Sequence, residues 1–214
     1  MSADPAHSLV LTTDYRVPDR TRVWPLLQRR RDGLAALGAH HVFVYTSTTD
    51  PERVLVTIAL HTREPVAELL RSQAFFEWFD AVGVDDIPAV FAGELVERLD
   101  PLGESTPQAP EVMVSVVTSV DNVTNLVTHV RETVADLRKA GVRRLLIFTA
   151  FDDAREVMML FQIDDESHAR HWVRDSELST EWMGRAGIGV YPPVFIGKLR
   201  QTLRIDETDR SAGR

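Results

Sequence analysis

Cysteine is absent from the 214-residue chain, and so is any long apolar run. Without cysteine there is no disulfide, no thiolate metal ligand and no cysteine nucleophile. No apolar stretch approaches the roughly 18 residues of a membrane-spanning helix, so the sequence predicts no membrane partner. The first residues also lack the positively charged segment that opens a secretory signal, and we expect a cytoplasmic protein.

Basic residues are also fewer than acidic ones. The chain has 24 Lys and Arg against 32 Asp and Glu, which gives a formal net charge of −8. Because phosphate backbones attract basic surfaces, this balance argues against a nucleic-acid partner. The sequence also lacks the GxSxG, HExxH, P-loop and GxGxxG patterns that identify common hydrolases, metalloproteases and nucleotide-binding proteins.

What the chain does contain is an internal repeat. Shifted by 103 positions, residues 9–71 align with 112–174 without a gap; shifted by 104, residues 72–95 align with 176–199. Eight of the first 63 positions are identical, and nine of the last 24. The sequence therefore predicts a tandem duplication. The matched residues include Trp78 with Trp182, Gly83 with Gly187, and Pro88 with Pro192.

The repeat divides the chain into segments. We expect a first repeat over residues 1–100 and a second over 111–205. Residues 101–110 are rich in proline, serine and threonine, which is typical of an exposed linker. Residues 206–214 are polar and are expected to form a flexible tail.

Each repeat has the element order strand, helix, strand, strand, helix, strand. The runs at 9–17 and 112–120 are rich in β-branched residues and predict the first strands. Asp121 is the expected N-cap of the helix that follows in the second repeat. Left-handed glycines are expected where the helices end. These are Gly38, Gly83, Gly141 and Gly187.

This order is that of a ferredoxin-like βαββαβ unit, in which both helices lie on one face of an antiparallel sheet. Odd positions of the first strand, such as Leu11 and Tyr15, should face the helices. The opposite face is mixed but too apolar to be left to water. The sequence therefore predicts an α+β protein of two tandem ferredoxin-like units that form an intramolecular pseudo-dimeric α+β barrel. Across that barrel we expect Glu94 to pair with Lys198, or else each charge to reach solvent separately at a barrel mouth.

Two fused units with a tryptophan-bearing second helix resemble the dimeric α+β barrel superfamily, in particular its antibiotic-biosynthesis-monooxygenase-like proteins. The resemblance covers residues 9–100 and 111–205. It implies a small-molecule-binding protein, either a cofactor-independent monooxygenase-like enzyme acting on a small apolar oxygenated ring compound, or a non-catalytic binding or stress-associated module. The sequence leaves open whether the protein is an enzyme, and whether it oligomerises beyond the internal pair.

The heme-degrading branch of this superfamily has an asparagine in strand 1, and a helix-2 tryptophan followed ten residues later by an iron-ligating histidine. Trp172 stands at the tryptophan position, but Trp182 stands where the histidine would be. Neither first strand contains asparagine. Since indole does not ligate iron as imidazole does, we expect no heme and no other cofactor.

Polar residues of the mixed face in the first repeat are the candidates for chemistry. Asp14, Tyr45 and His61 are candidate catalytic residues, because a phenol, an imidazole and a carboxylate together can bind and deprotonate a phenol or enol. Thr57 and Glu94 are candidate pocket residues beside them. The alternative is that these residues lie at a barrel mouth and hydrogen-bond to one another.

Three tryptophans are further candidates for a pocket that holds an apolar or aromatic ligand. Trp78, Trp172 and Trp182 would stack on a planar compound, or else they simply fill the core. His168 and His171 have a spacing that can suit a metal, but they flank the apolar side of their helix and are expected to face solvent. We therefore expect no metal site. The run Arg29-Arg30-Arg31 is interpreted as a solvated helix face.

Overall fold

A computed structural model describes residues 9–84, 86–103, 112–174, 184 and 194–205. Its elements follow the predicted order. Wherever the structure describes the full length of a predicted helix, that helix is divided into two shorter ones. The strands are β1 (Leu9–Arg16), β2 (Ala39–Ser47), β3 (Arg53–Leu60), β4 (Ala89–Leu99), β5 (Val112–Ser119), β6 (Val142–Ala150), β7 (Glu156–Ile163) and β8 (Val194–Arg204). The helices are α1 (Val23–Arg29), α2 (Arg31–Ala36), α3 (Glu64–Leu69), α4 (Gln73–Val82), α5 (Val123–Glu132), α6 (Val134–Lys139) and α7 (Glu166–Arg174).

Within the second unit the strand order is β8-β5-β7-β6-β4. The strand pairs with a described register are antiparallel. The α+β class and the antiparallel sheet are therefore confirmed. No helix in the described ranges is long and apolar enough to cross a membrane.

The chain divides into two compact units, which differ from the predicted segments at the last strands. The first unit comprises residues 1–92 and 200–214, and the second comprises 93–199. The reason lies in the strand pairing. Residues 93–99 of β4 pair with β6, so they belong to the second unit. The predicted linker and tail lie almost wholly outside the described residues, from 104 to 111 and from 206 onwards.

In the first unit, β3 lies between β1 and β2. Leu11 pairs with Ile58 and Thr13 with Val56, so these side chains share one face of the sheet. The helices cover that face, as the odd positions of β1 predicted. Along α1 and α2 the apolar residues at helical spacing are buried: Val23, Leu27 and Leu34.

Glycine ends the helices as predicted. Gly83 follows α4 with φ of 86° and ψ of 45°, a left-handed conformation that costs little without a Cβ. Gly38 and Gly141 also have positive φ, of 78° and 80°. Ser72 is the N-cap that separates α4 from α3. Gly187 lies outside the described residues.

The second unit repeats the register of the first at an offset of 103. Val112 pairs with Ile163 where Leu9 pairs with Leu60, and the bulge at Val142 matches the one at Ala39. The predicted N-cap is one residue in error. Asn122 caps α5 by accepting a hydrogen bond from the backbone N–H of Asn125 at 3.0 Å.

Candidate binding pocket of the first unit

A pocket of about 250 Å³ lies in the first unit between the sheet and the helices. Its floor comes from two neighbouring strands. Leu11 and Thr13 of β1 stand beside their cross-strand partners Ile58 and Val56 of β3. Because β-branched and aliphatic residues alternate toward this face, the floor is almost wholly apolar.

Two helical segments form the walls. Leu37 and Gly33 line the pocket from α2 and its C-terminal end, and Arg30 lines it from the junction of α1 and α2. On the other side stand Leu69 at the end of α3, and Phe75 and Trp78 of α4. A Cβ added at Gly33 would meet no atom within 4 Å, so the missing side chain leaves this part of the pocket open.

Two polar side chains reach the pocket. Thr13 is only 6% exposed, and its hydroxyl has no hydrogen-bond partner among the described residues. The Arg30 side chain is exposed and, within the same ranges, forms no ion pair. The Thr13 hydroxyl is therefore available to hydrogen-bond to a polar group bound in the pocket.

Tyr15 lies on the same face of β1, two residues beyond Thr13. Burial raises its pKa far above the ordinary value, with the Trp78 indole partly opposing that rise. The Tyr15 ring packs edge-on against Phe79, with ring centroids 5.6 Å apart. At neutral pH this phenol is therefore protonated, so it can donate a hydrogen bond but cannot act as a base.

The three predicted catalytic residues do not converge. Asp14 forms a two-point ion pair with Arg53, at 2.6 and 2.8 Å. Tyr45 shares a cross-strand row with Asp14, each beside Leu55, and burial strongly raises its pKa. His61 is exposed and lies six residues beyond Leu55, roughly 20 Å along a strand.

The other two predicted polar residues also lie apart from the pocket. Thr57 is buried on the opposite face from Val56, and its hydroxyl has no partner among the described residues. Glu94 is exposed and is opposite Thr149 in the second unit. The expected pairing with Lys198 is wrong, because the Lys198 ammonium contacts the Glu166 carboxylate at 2.6 Å.

The tryptophans have different surroundings. Trp78 lines the pocket of the first unit. Trp172, in the second unit, is 6% exposed and packs on Phe161 with ring centroids 4.5 Å apart. It therefore belongs to the hydrophobic core of that unit. Trp182 lies outside the described residues.

The histidines of α7 are exposed, as predicted. Asp164, Asp165 and His168 hold their ligand atoms within 4.8 Å of one another. Internal hydrogen bonds account for this arrangement. Asp164 contacts His168 Nδ1 at 2.7 Å, and Asp165 accepts from the backbone N–H of His168 at 2.9 Å.

Most pocket residues were not singled out from the sequence as site residues. A signal was nevertheless present in the repeat, because the second copy has larger side chains at several equivalent positions. Val56 aligns with Met159, Ile58 with Phe161, and Leu69 with Trp172. At other lining positions the second repeat has the smaller side chain, as at Leu37 and Ala140, so side-chain volume alone does not locate the cavity.

Comparison with known proteins supports the fold. Over 97% of both chains, the structure matches an anthrone oxidase-like protein with a TM-score of 0.72 at 14% identity. A heme-degrading enzyme of Listeria monocytogenes matches with a TM-score of 0.53 at 9% identity, over 90% of this chain and 99% of the other. A monooxygenase-like protein of Listeria innocua matches with a TM-score of 0.51 at 8% identity, over 94% and 99%. No protein-family model and no curated protein sequence matches the chain.

Heme does not fit the pocket of the first unit. Heme iron in proteins is held by imidazole, thiolate, thioether or phenolate groups. The lining side chains of the described part are aliphatic, aromatic, hydroxyl or guanidinium groups, and none of them is such a ligand. We therefore derive no heme chemistry at this site.

Proposed function

We propose that the first unit binds a small, largely apolar ring compound in the pocket between its sheet and its helices. The observation that carries this proposal is the pocket itself, which is open at Gly33 and enclosed by Leu69, Phe75 and Trp78. Apolar and aromatic walls with few polar groups are typical of small-molecule sites. The volume of about 250 Å³ suits a compound of one to three fused rings.

The matching strand register of the two units supports this proposal. At the positions that line the pocket in the first unit, the second has Met159, Phe161 and Trp172, all buried in one hydrophobic cluster or beside it. A fold that needs only one ligand site can fill the equivalent space in its other copy. We therefore propose that the two units arose by tandem duplication and that the first kept the binding role.

The second candidate function is cofactor-independent monooxygenation of the bound ring. It is favoured by the likeness to the anthrone oxidase-like and monooxygenase-like proteins. For anthrone, this reaction inserts one atom of O2 at the ring methylene, giving the quinone, and releases the other atom as water. It requires removal of a proton from the ring compound. Among the described lining residues there is no carboxylate or imidazole to accept that proton, so binding remains the first proposal.

Calorimetric titration with 2-naphthol tests the binding proposal. Gly33→Leu should fill the pocket from α2 and abolish binding. Ala36→Leu is the matched control, because it places the same leucine side chain at an exposed position of the same helix outside the pocket. Binding that is unchanged in Gly33→Leu, or absent from the wild-type protein, would overturn the proposal.

Oxygen uptake separates the two functions. With anthrone in air-saturated buffer, an enzyme should consume O2 faster than buffer alone and should lose that excess in Gly33→Leu. A binding protein should show the ligand-dependent heat without the excess oxygen uptake.

A further inference from the structure

We infer that the ligand of this pocket is an organic anion: an aromatic acid whose charged group contacts Arg30, and whose ring carries a polar substituent that hydrogen-bonds to Thr13. This inference rests on the proposed binding function and specifies the ligand class. Two independent features carry it, one on the helical wall and one on the sheet.

The first feature is the cationic wall. Arg30 sits between α1 and α2, with φ of −96° and ψ of 14°, where the helix is interrupted and the side chain lines the pocket. Two other arginines of the first unit form ion pairs: Arg16 with Asp50 at 2.8 Å, and Arg53 with Asp14. Within the described residues, Arg30 has no such partner.

The local charge strengthens this feature. Arg30 is the middle residue of the run Arg29-Arg30-Arg31, in a chain with a net charge of −8. A positive segment on an acidic protein attracts small anions toward this face. Guanidinium also matches the two oxygens of a carboxylate, which a neutral ring compound does not offer.

The second feature is the hydroxyl in the floor. Thr13 is more than nine-tenths buried and lines the pocket, yet the described residues give its hydroxyl no partner. Its equivalent in the second unit is Val116, which needs none. A ligand hydroxyl or carbonyl at this point would satisfy Thr13, while the rest of the floor contacts the apolar ring.

The arrangement therefore selects a ligand with an apolar body and two polar groups. The ring fits between Trp78 and Phe75 on one side and Val56 and Ile58 on the other. The acid faces the helix junction, and the second polar group faces the sheet. A purely apolar compound would leave both Arg30 and Thr13 without a partner.

Matched probes test the anionic preference. 2-Naphthoate and 2-naphthamide have the same shape and differ in charge. The ratio of their dissociation constants therefore measures how much the negative charge contributes to binding. We expect the wild-type protein to bind the naphthoate about five- to tenfold more tightly, as a charge-assisted hydrogen bond at a partly solvated site should give. Arg30→Gln should remove this preference, whereas Arg29→Gln, the adjacent exposed arginine outside the lining, should keep it.

The hydroxyl is tested with a second pair, 6-hydroxy-2-naphthoate against 2-naphthoate. The hydroxyl should raise affinity about threefold or more in the wild-type protein. Thr13→Val should cancel that gain. Thr12→Val is the control, because Thr12 points to the opposite face of the same strand.

The outcomes separate this inference from the proposed function. Equal affinity for naphthoate and naphthamide, or a preference that survives in Arg30→Gln, overturns the anionic ligand class while pocket binding stands. A hydroxyl gain that survives in Thr13→Val overturns the role of Thr13. If neither naphthoate nor naphthamide binds the wild-type protein, both the inference and the binding function are wrong.

Discussion

The two units share a strand register but differ in what fills the space between sheet and helices. In the first unit Ile58 and Leu69 border an open pocket. In the second, the residues at the same repeat positions are Phe161 and Trp172, whose rings are 4.5 Å apart and buried. At these two positions, within the described residues, the second unit therefore has larger and more deeply buried side chains than the first.

The two units also differ in the polarity of their equivalent residues. Thr13 of the first unit corresponds to Val116 of the second, where the apolar side chain joins the hydrophobic core. Gly33 corresponds to Asp136, which carries a side chain and accepts a hydrogen bond from Lys139 at 3.1 Å. The first unit thus has a hydroxyl and an absent side chain where the second has an apolar side chain and a partly exposed carboxylate.

The largest expected effect comes from removing the ring that fills the second unit. Trp172→Ala should lower the free energy of unfolding by about 3–5 kcal/mol, because it leaves a cavity against Phe161. Leu69→Ala, at the equivalent position beside the open pocket, should cost about 1 kcal/mol, since Leu69 is only half-buried. Urea unfolding of both variants measures the difference. Equal losses would mean that the two positions are packed alike.

Val116→Thr and Thr13→Val are reciprocal substitutions at equivalent positions, and we expect them to have different effects on the free energy of unfolding. Val116→Thr places an unpartnered hydroxyl in an apolar core and should cost about 1–3 kcal/mol. Thr13→Val removes a hydroxyl that already lacks a partner, so it should leave stability within about 0.5 kcal/mol of the wild-type value or raise it. Unfolding curves without added ligand give both values. A clear loss in Thr13→Val would show that the hydroxyl is satisfied inside the protein.

A smaller effect is expected where the side chain is missing. Gly33→Ala should raise the free energy of unfolding by about 0.5–1 kcal/mol, because alanine is the better helix former and its Cβ meets open space. The same methyl group should weaken 2-naphthoate binding several-fold. Asp136→Ala in the second unit is the control, and it should leave binding unchanged. A variant of Gly33 with both higher stability and full affinity would place the ligand away from α2.

The backbone was largely predictable because its signals are local. β-Branched runs and helix-ending glycines such as Gly38 and Gly83 led to the strands and helices. The N-cap was misplaced from Asn122 to Asp121, since both residue types cap helices equally well. The pairing of β4 with β6 joins residues about 50 positions apart along the chain, and no local signal predicts it.

The site was less predictable, for two physical reasons. Sharing one face of a sheet does not fix the distance along the strands, so Asp14 and Tyr45 lie close in register while His61 lies well beyond them. The pocket also depends on atoms that are absent, at Gly33 above all, and on the convergence of two helical segments onto Thr13. Inspection of polar residues alone therefore pointed to the opposite face of the sheet.

The smallest expected effect concerns a contact that only the second unit has. His168 Nδ1 lies 2.7 Å from Asp164 and 3.3 Å from Asp165, and the hydrogen bond to Asp164 is the main reason that its pKa is raised above 6.5. The equivalent positions of His168 and Asp164 in the first unit are Pro65 and His61, which cannot form this pair. His168→Gln should therefore change the pH dependence of stability through a contact in the second unit.

Because the folded-state pKa is raised, the charged histidine stabilises the folded protein fully at a pH below 6.5, and this contribution is lost as the pH rises through the folded-state pKa. The stability difference between wild type and His168→Gln should therefore be largest near about pH 5.5 and fall toward zero by about pH 9. It should also shrink at high salt, since the ring is more than half exposed. His171→Gln, an exposed histidine of the same helix, is the control. A difference that grows with rising pH would contradict the sign of the linkage and would mean that the Asp164–His168 contact does not stabilise the second unit through its charge.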